Sequence, residues 1–322
     1  MTTQARPVTA LLDPAKFRDP EVTATGERRA WVDLHHLATL WFNTGTLCNI
    51  ECSHCYIESS PTNERLEFLS LGELTVFLDE IEVLGLPTRE IGFTGGEPFM
   101  NPAIIDMLDD ALGRGFEVLV LTNAMQPMMR AAVREGLLRL HEAHGERLTL
   151  RVSIDHHSEQ LHDSERGPGS FAKAIKGARW LADNGVNLAA AGRTCWGEGE
   201  ASERSGYQRL FESAGLPVDA ADPQELVLFP EMDAGVDVPE ITVACWGILD
   251  VDPNAMMCAT SRMVVKRQGA AAPTVLACTL LPYDPQFELG NSLEEALGQV
   301  KLNHPRCAEF CVLGGGSCSA AT

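Results

Sequence analysis

The sequence predicts an α/β fold, with parallel strands alternating with helices and then a small cysteine-rich, metal-bound domain. Three observations lead there. Six strand-then-helix units with short connections run from about residue 37 to residue 230, and such alternation argues for parallel strands joined by right-handed crossovers. The alternation stops after Pro230, where residues 231–256 become rich in Asp, Pro and Gly. Half of the ten cysteines then fall between Cys258 and the C-terminus, in a stretch of short strands and turns too small to hold itself together without a metal. Four segments result: an N-terminal extension over 1–36, the alternating core over 37–230, a bridge over 231–256 and the cysteine-rich part over 257–322.

Each element has a local reason. Residues 1–36 lack a strong hydrophobic period and are broken by Pro7, Pro14 and Pro20, so they read as an extension that packs on the main domain or caps it. Residues 38–43 form a strand leading into the first cysteine loop. Apolar spacing marks a helix over 71–84, with Ser70 as its N-cap. Residues 90–94 are a strand. Residues 102–113 read as a helix, capped by Asn101 with Pro102 at its first position. Strands follow over 116–122, 148–155, 186–194 and 225–229. Helices separate them over 128–143, 170–184, stopped by Gly185, and 202–214.

Bulk composition narrows the functional classes. The chain has 322 residues, 45% of them hydrophobic, enough for a full core. Lysine and arginine number 25 against 45 acidic residues, a formal charge of -20. That disfavours a nucleic-acid substrate, whose phosphates need basic patches. No apolar run approaches the ~18 residues of a membrane span, and the opening MTTQARPVTALL lacks the pattern of a signal peptide. A cysteine-rich chain of this kind is expected in the cytoplasm, where thiols serve metals rather than disulfides.

The chemistry centres on Cys48-Asn49-Ile50-Glu51-Cys52-Ser53-His54-Cys55. Three thiols so close in one loop suit a shared ligand. Three thiolates can hold three irons of a [4Fe-4S] cluster and leave the fourth iron open. Zinc is the competing ligand, with His54 as a fourth donor; a disulfide would leave one thiol over. Phe93-Thr94-Gly95-Gly96-Glu97-Pro98 closes the second strand, with two glycines that permit close backbone approach and one carboxylate beside them. On the fourth strand Thr149, Arg151, Ser153 and Asp155 share one parity, and Leu148, Leu150, Val152 and Ile154 the other. A polar inner face on a central parallel strand implies a filled site. His156 and His157 are expected one to solvent and one capping a turn. Cys195 closes the fifth strand, where it would face the interior as a substrate contact or hydrogen-atom donor, or pack as a small hydrophobe. Cys245 is treated the same way.

Taken together, CxxxCxxC at 48–55 and GGEP at 95–98 resemble the radical S-adenosylmethionine (SAM) superfamily, in the subset with a C-terminal Twitch or SPASM-like auxiliary domain. The resemblance implies a partial (β/α)6 TIM-like barrel with its site at the C-terminal ends of the strands. It implies a [4Fe-4S] cluster on Cys48, Cys52 and Cys55 whose open iron chelates SAM, and reductive cleavage to a 5′-deoxyadenosyl radical that takes hydrogen from a substrate. It further implies cofactor contacts at Gly95, Gly96, Glu97 and Pro98 for the methionyl ammonium, Asn123 in a TNG-like turn that has Ala124 for Gly, Ser153 and Asp155 for the ribose, and Arg166 of His162-Asp163-Ser164-Glu165-Arg166 for the SAM carboxylate. By the same resemblance His54 packs near the adenine.

The C-terminal pattern resembles the auxiliary-cluster domain: Cys258 before a hairpin at Gly269, Cys278 after it, Leu289-Gly290-Asn291, a helix, then Cys307 and Cys311. It implies one auxiliary [4Fe-4S] cluster on Cys258, Cys278, Cys307 and Cys311, with Cys318 able to replace one of the last two; structural zinc is again the rival. The implied partners are a peptide or small-molecule substrate and a reductant protein such as flavodoxin or ferredoxin. A non-catalytic zinc-binding protein remains the alternative from another class.

Overall fold

A computed structural model describes residues 11–230, 232 and 235–316. Six parallel strands form the core: β1 Thr39–Asn43, β2 Glu90–Thr94, β3 Glu117–Thr122, β4 Leu148–Ser153, β5 Asn187–Arg193 and β6 Leu226–Phe229. Three further strands, β7 Ser261–Val265, β8 Thr274–Leu276 and β9 Glu288–Gly290, complete a nine-stranded sheet in the order β9-β8-β7-β1-β2-β3-β4-β5-β6. The sheet ends at β6 on one side and β9 on the other, so the barrel is partial. The α/β expectation is borne out.

The connecting helices are α1 Leu71–Leu84, α2 Ile104–Gly113, α3 Ala131–His144, α4 Glu159–Arg166, α5 Ser170–Asp183 and α6 Glu200–Ala214. At α1 the expected cap is present. Ser70 Oγ accepts from Glu73 N, and the Glu73 carboxylate accepts from Ser70 N, closing a capping box. The outer parity of β4 (Leu148, Leu150, Val152, Ile154) joins Phe42, Phe93, Leu108, Leu137 and Phe211 in the core under the helices. Thr149, Arg151 and Ser153 take the other face, as alternation requires.

Several boundaries differ from the sequence expectation. α2 starts at Ile104, not at 102. Asn101 is spent elsewhere: its Nδ2 donates to the Thr44 and Leu69 carbonyls, tying the β1 exit to the β2 exit, while its Oδ1 accepts from Ala103 N. α4 was not anticipated, because its eight residues are almost all polar and carry no apolar stripe. The helix expected after Leu289-Gly290-Asn291 is a single 3₁₀ turn, Glu295–Leu297, anchored by Glu295, whose carboxylate accepts from Asn291 N.

The expected boundary at 257 does not interrupt the sheet. β7 pairs in parallel with β1, from Thr39 opposite Ser261 to Phe42 opposite Val264. The N-terminal stretch also packs on the rest of the chain. Trp31–Val32 pairs antiparallel with Val300–Lys301, and buried Arg29 bonds the buried Glu240 carboxylate of the bridge. Ala30, Val32 and Trp41 share a second core with Met263, Leu276 and Phe310.

Candidate functional site

The β1–α1 loop carries the three thiols. Cys48 is buried, and Cys52 and Cys55 are half-buried. All three line one cavity of about 190 Å³ at the C-terminal ends of β1 to β6, where Gly95, Gly96, Asn123, Ser153, Asp155 and Arg166 also surface. The GGEP turn reaches this wall by its glycines alone. A Cβ at Gly96 would lie 2.1 Å from the Leu47 carbonyl oxygen, and Gly95, with φ of +148°, packs on Gly45 and Thr44. Gly96 N donates to Gly45 O at 2.8 Å and Glu97 N to Leu47 O at 3.1 Å. The glycines therefore let the turn lie against the backbone that delivers Cys48.

Glu97 and Pro98 do not line the cavity. The Glu97 carboxylate is buried beneath it and accepts from Thr122 Oγ1 at 2.8 Å, Asn123 N at 2.9 Å and Phe99 N at 3.3 Å. Burial pushes its pKa up to about 7, against these three bonds. Placed so, it is a strut between the β2 and β3 exits. It holds Asn123, whose Nδ2 donates to Asn49 Oδ1 at 2.9 Å and lies 3.8 Å from Cys48 Sγ. Ala124 follows with φ of +54°, the left-handed conformation a glycine would take without strain.

Asp155 and Arg166 face each other across the cavity wall. Arg166 Nε and Nη2 donate to the two Asp155 oxygens at 2.8 and 2.9 Å, a side-on bidentate pair. The Arg166 guanidinium holds the Asp155 carboxyl below its usual range despite burial. The same helix end supports the cysteine loop. Glu165 O accepts from Ser53 N at 2.8 Å, and Glu165 Oε2 lies 2.7 Å from His54 Nδ1. Asp163 turns away to cap α5, accepting from Gly169 N, Ser170 Oγ and Phe171 N.

Sequence reasoning missed Trp41, Tyr56, Arg193, Phe229, Thr279 and Leu280, which all line the cavity. For Arg193 the signal was present: it shares strand parity with Ala191 at the end of β5, as Ser153 does on β4. Cys195, two residues further, does not reach the cavity wall, because the chain leaves the strand at Arg193. Cys245 Sγ accepts from Thr242 N at 3.3 Å, a packing role. Of the two histidines one caps a turn, as expected, but neither is exposed to solvent. His156 is buried, and its Nδ1 accepts from Ser158 N at 2.9 Å. His157 packs on α6, where a Cβ at Gly206 would strike its ring. Their ligand atoms and Glu198 lie within 4.8 Å of one another. His156 Nε2 lies 3.4 Å from Glu198 Oε1, and neither it nor His157 Nδ1 has a hydrogen-bond partner among the described residues.

A second cavity, of about 20 Å³, is lined by Cys258, Cys278, Cys307 and Cys311. Cys307 and Cys311 sit on the π-helix Cys307–Leu313, whose wide turn aims residues four apart the same way. Cys318 lies outside the described residues. Leu280 lines both cavities, so one wall separates them.

Both thiol sets fit a metal–sulfur group. Burial first, and the neighbouring thiols among the lesser causes, push Cys48 up to about 12; burial pushes Cys258 to about 11. Thiols this costly to ionise alone are ones a bound cation would deprotonate. Arg262 of β7, which follows Cys258, is buried and among the described residues donates only to the carbonyls of Cys258, Ser261, Ala296 and Gly298. Its charge meets no carboxylate among the described residues, and thiolates on Cys258 and Cys278 would answer it.

A partial parallel barrel with a three-thiol loop at its mouth and a polar, carboxylate-and-guanidinium wall defines a cofactor-binding α/β protein built for a metal cluster. Residues 42–197 match the family model of the Radical SAM superfamily, and the chain carries a radical SAM domain. The antilisterial bacteriocin subtilosin biosynthesis protein AlbA of Bacillus subtilis is 34% identical over 166 residues, 51% of this chain and 34% of AlbA. The AdoMet-dependent heme synthase of Oleidesulfovibrio alaskensis is 32% identical over 142 residues, 44% of this chain and 34% of that protein. The matches thus span about a third of each curated relative. The crystal structure of Streptococcus suis SuiB bound to S-adenosylmethionine superposes with a TM-score of 0.58 over 80% of this chain and 64% of SuiB, at 12% identity. That likeness establishes the fold. No helix among the described residues is long and apolar enough to cross a membrane.

Proposed function

We propose that this chain is a radical SAM enzyme that modifies a peptide. Cys48, Cys52 and Cys55 would hold a [4Fe-4S] cluster, and the cavity beside them would seat SAM. The observation that carries the reading is the convergence of the three thiols with Gly95, Gly96, Asn123, Ser153, Asp155 and Arg166 on one cavity. When bound and reduced, this pair supplies a 5′-deoxyadenosyl radical that abstracts hydrogen. The chain's own share is orientation and exclusion of water. The glycine backbone would offer polar groups to the methionyl end and Ser153 and Asp155 acceptors to the ribose, while Trp41, Tyr56 and Phe229 add apolar surface beside them. Asp155 can receive hydroxyls only by sharing oxygens now held by Arg166.

Residues 257–316 would form an auxiliary part with a second [4Fe-4S] cluster on Cys258, Cys278, Cys307 and Cys311. The peptide reading is supported by AlbA, named for bacteriocin biosynthesis, and by a SuiB structure bound to its precursor peptide SuiA. A heme synthase among the relatives keeps a small-molecule substrate as the second reading. A cytoplasmic location and a flavodoxin or ferredoxin reductant complete the proposal.

Anaerobically purified protein should carry about eight irons if both clusters form and should release 5′-deoxyadenosine from SAM on reduction. Stoichiometric zinc, or adenosyl release untouched by Cys52→Ala, would sink the reading. Cys258→Ser should halve the iron count.

A further inference from the structure

We propose that His156, His157 and Glu198 bind a single divalent transition-metal ion, zinc, at a site apart from the two thiol cavities. The histidines follow Asp155, where the chain leaves β4, and Glu198 lies in the loop between β5 and α6. One ligand atom from each residue comes within 4.8 Å of the others. His156 Nε2 stands 3.4 Å from Glu198 Oε1. Two ligand atoms at zinc-bond length in a tetrahedron lie about 3.3 Å apart, so this pair already has the spacing of a chelate. Two imidazoles and one carboxylate are a set that zinc takes with its fourth position open. None of the three residues lines either thiol cavity.

The site is built rather than incidental. His156 is 2% exposed, and its Nε2 has no hydrogen-bond partner, the contact to Glu198 being too poorly aligned to serve as one. A buried polar atom left so is costly, and a bound ion would complete it. The ring is held between those of His157 and Trp196, with centroids 4.0 and 4.8 Å away. Its far nitrogen, Nδ1, lies 2.8 Å from Ser158 Oγ. A zinc-bound Nε2 needs the ring proton on Nδ1. Ser158 Oγ can accept that proton, at the cost of the Ser158 N contact, and ligating imidazoles commonly have such an outer partner.

The charges nearby favour a cation. Glu203, one turn before Gly206 on α6, is fully buried, and neither of its carboxylate oxygens has a partner. Arg204 is engaged by Glu200 at 2.8 Å. Among the described residues no lysine or arginine pairs with Glu198 or Glu203. Glu198 is exposed and also lines a separate cavity of about 500 Å³ with Thr194, Glu200 and Arg204, which gives the ion a way in. Once bound, the ion would clamp the β4 exit to the loop after β5.

Zinc-edge X-ray absorption on anaerobically purified, full-length protein tests the site. One equivalent of zinc chloride should show nitrogen and oxygen neighbours at about 2.0–2.1 Å, two of them imidazoles, and no sulfur at about 2.3 Å. Competition with a chromogenic zinc chelator reads the affinity. Loss of an outer partner alone typically costs 10–100-fold, so Glu198→Gln and His157→Gln should each weaken zinc at least tenfold, with iron per chain unchanged in Glu198→Gln. If His157→Gln does not fold, Glu198→Gln decides, because its side chain is exposed. Zinc bound through sulfur, no zinc bound, or equal affinity in Glu198→Gln overturns the proposal. Protein that purifies without iron would mark failure of the cluster reading instead. Its thiols, blocked with iodoacetamide, would leave the nitrogen–oxygen site to the same titration.

Discussion

A Cβ at Gly96 would lie 2.1 Å from the Leu47 carbonyl oxygen, and that oxygen belongs to backbone that cannot swing aside. Gly96→Ala should push the β1 exit outward, cost about 1–3 kcal/mol as overpacking does, and lower the iron retained per chain. Thermal denaturation and iron counting would show both. His162 tests burial in another way. It is fully buried, neither ring nitrogen has a partner, and burial first, then Arg166, depresses its pKa to about 4. The unfolded chain protonates near 6.5, so acid favours unfolding. The stability is present above about pH 6.5 and is lost as pH falls toward 4. Wild-type protein should lose about 2 kcal/mol more than His162→Phe between pH 7 and pH 5, read from urea midpoints. Equal losses would mean that the ring reaches water.

Among the elements, α4 matters most to the site, although nothing in its hydrophobic pattern announced it. Its last turn places Glu165 against the cysteine loop and Arg166 against Asp155, so its value lies in polar bonds to distant segments. The N-terminal stretch holds in a similar way. Arg29 bonds Glu240 and also donates to the Asp19, Val22 and Leu302 carbonyls. Glu240 in turn accepts from Phe17 N and Ala24 N. Arg29→Met should destabilise by about 3–5 kcal/mol, because it strands a buried carboxylate. Arg29→Met/Glu240→Leu should recover part of that loss in chemical denaturation. A cost under ~1 kcal/mol for Arg29→Met, the level of a solvent-exposed pair, would contradict the burial seen here.

For the molecule as a whole, the sheet runs without a break from barrel to cysteine-rich region. β7 covers the edge of β1, a strand buried along its whole length. A chain ended at residue 256 should therefore aggregate, because it bares five residues of unpaired strand. Size-exclusion chromatography would detect this; a monodisperse, cluster-binding fragment would refute it. The edge contact also places the second thiol cavity one wall from the first, through Leu280.

Much of this was legible along the chain. The strand–helix alternation, the parity of β4, the Ser70 cap and the spacing of the thiols are local or periodic features, and spacing carries them. Ser153 and Arg166 reach one wall from motifs that spacing and resemblance had marked, whereas Glu97 of the same motif lies beneath that wall and Arg193 reaches it unannounced. Whether a side chain at a strand end meets a ligand or a neighbouring loop depends on segments distant in sequence. Here Thr122 and Asn123 claim Glu97, and Asp155 claims the fork of Arg166. Local order thus specified which residues the barrel mouth could use. Long-range packing chose among them, because burial and hydrogen-bond satisfaction are properties of three-dimensional neighbours.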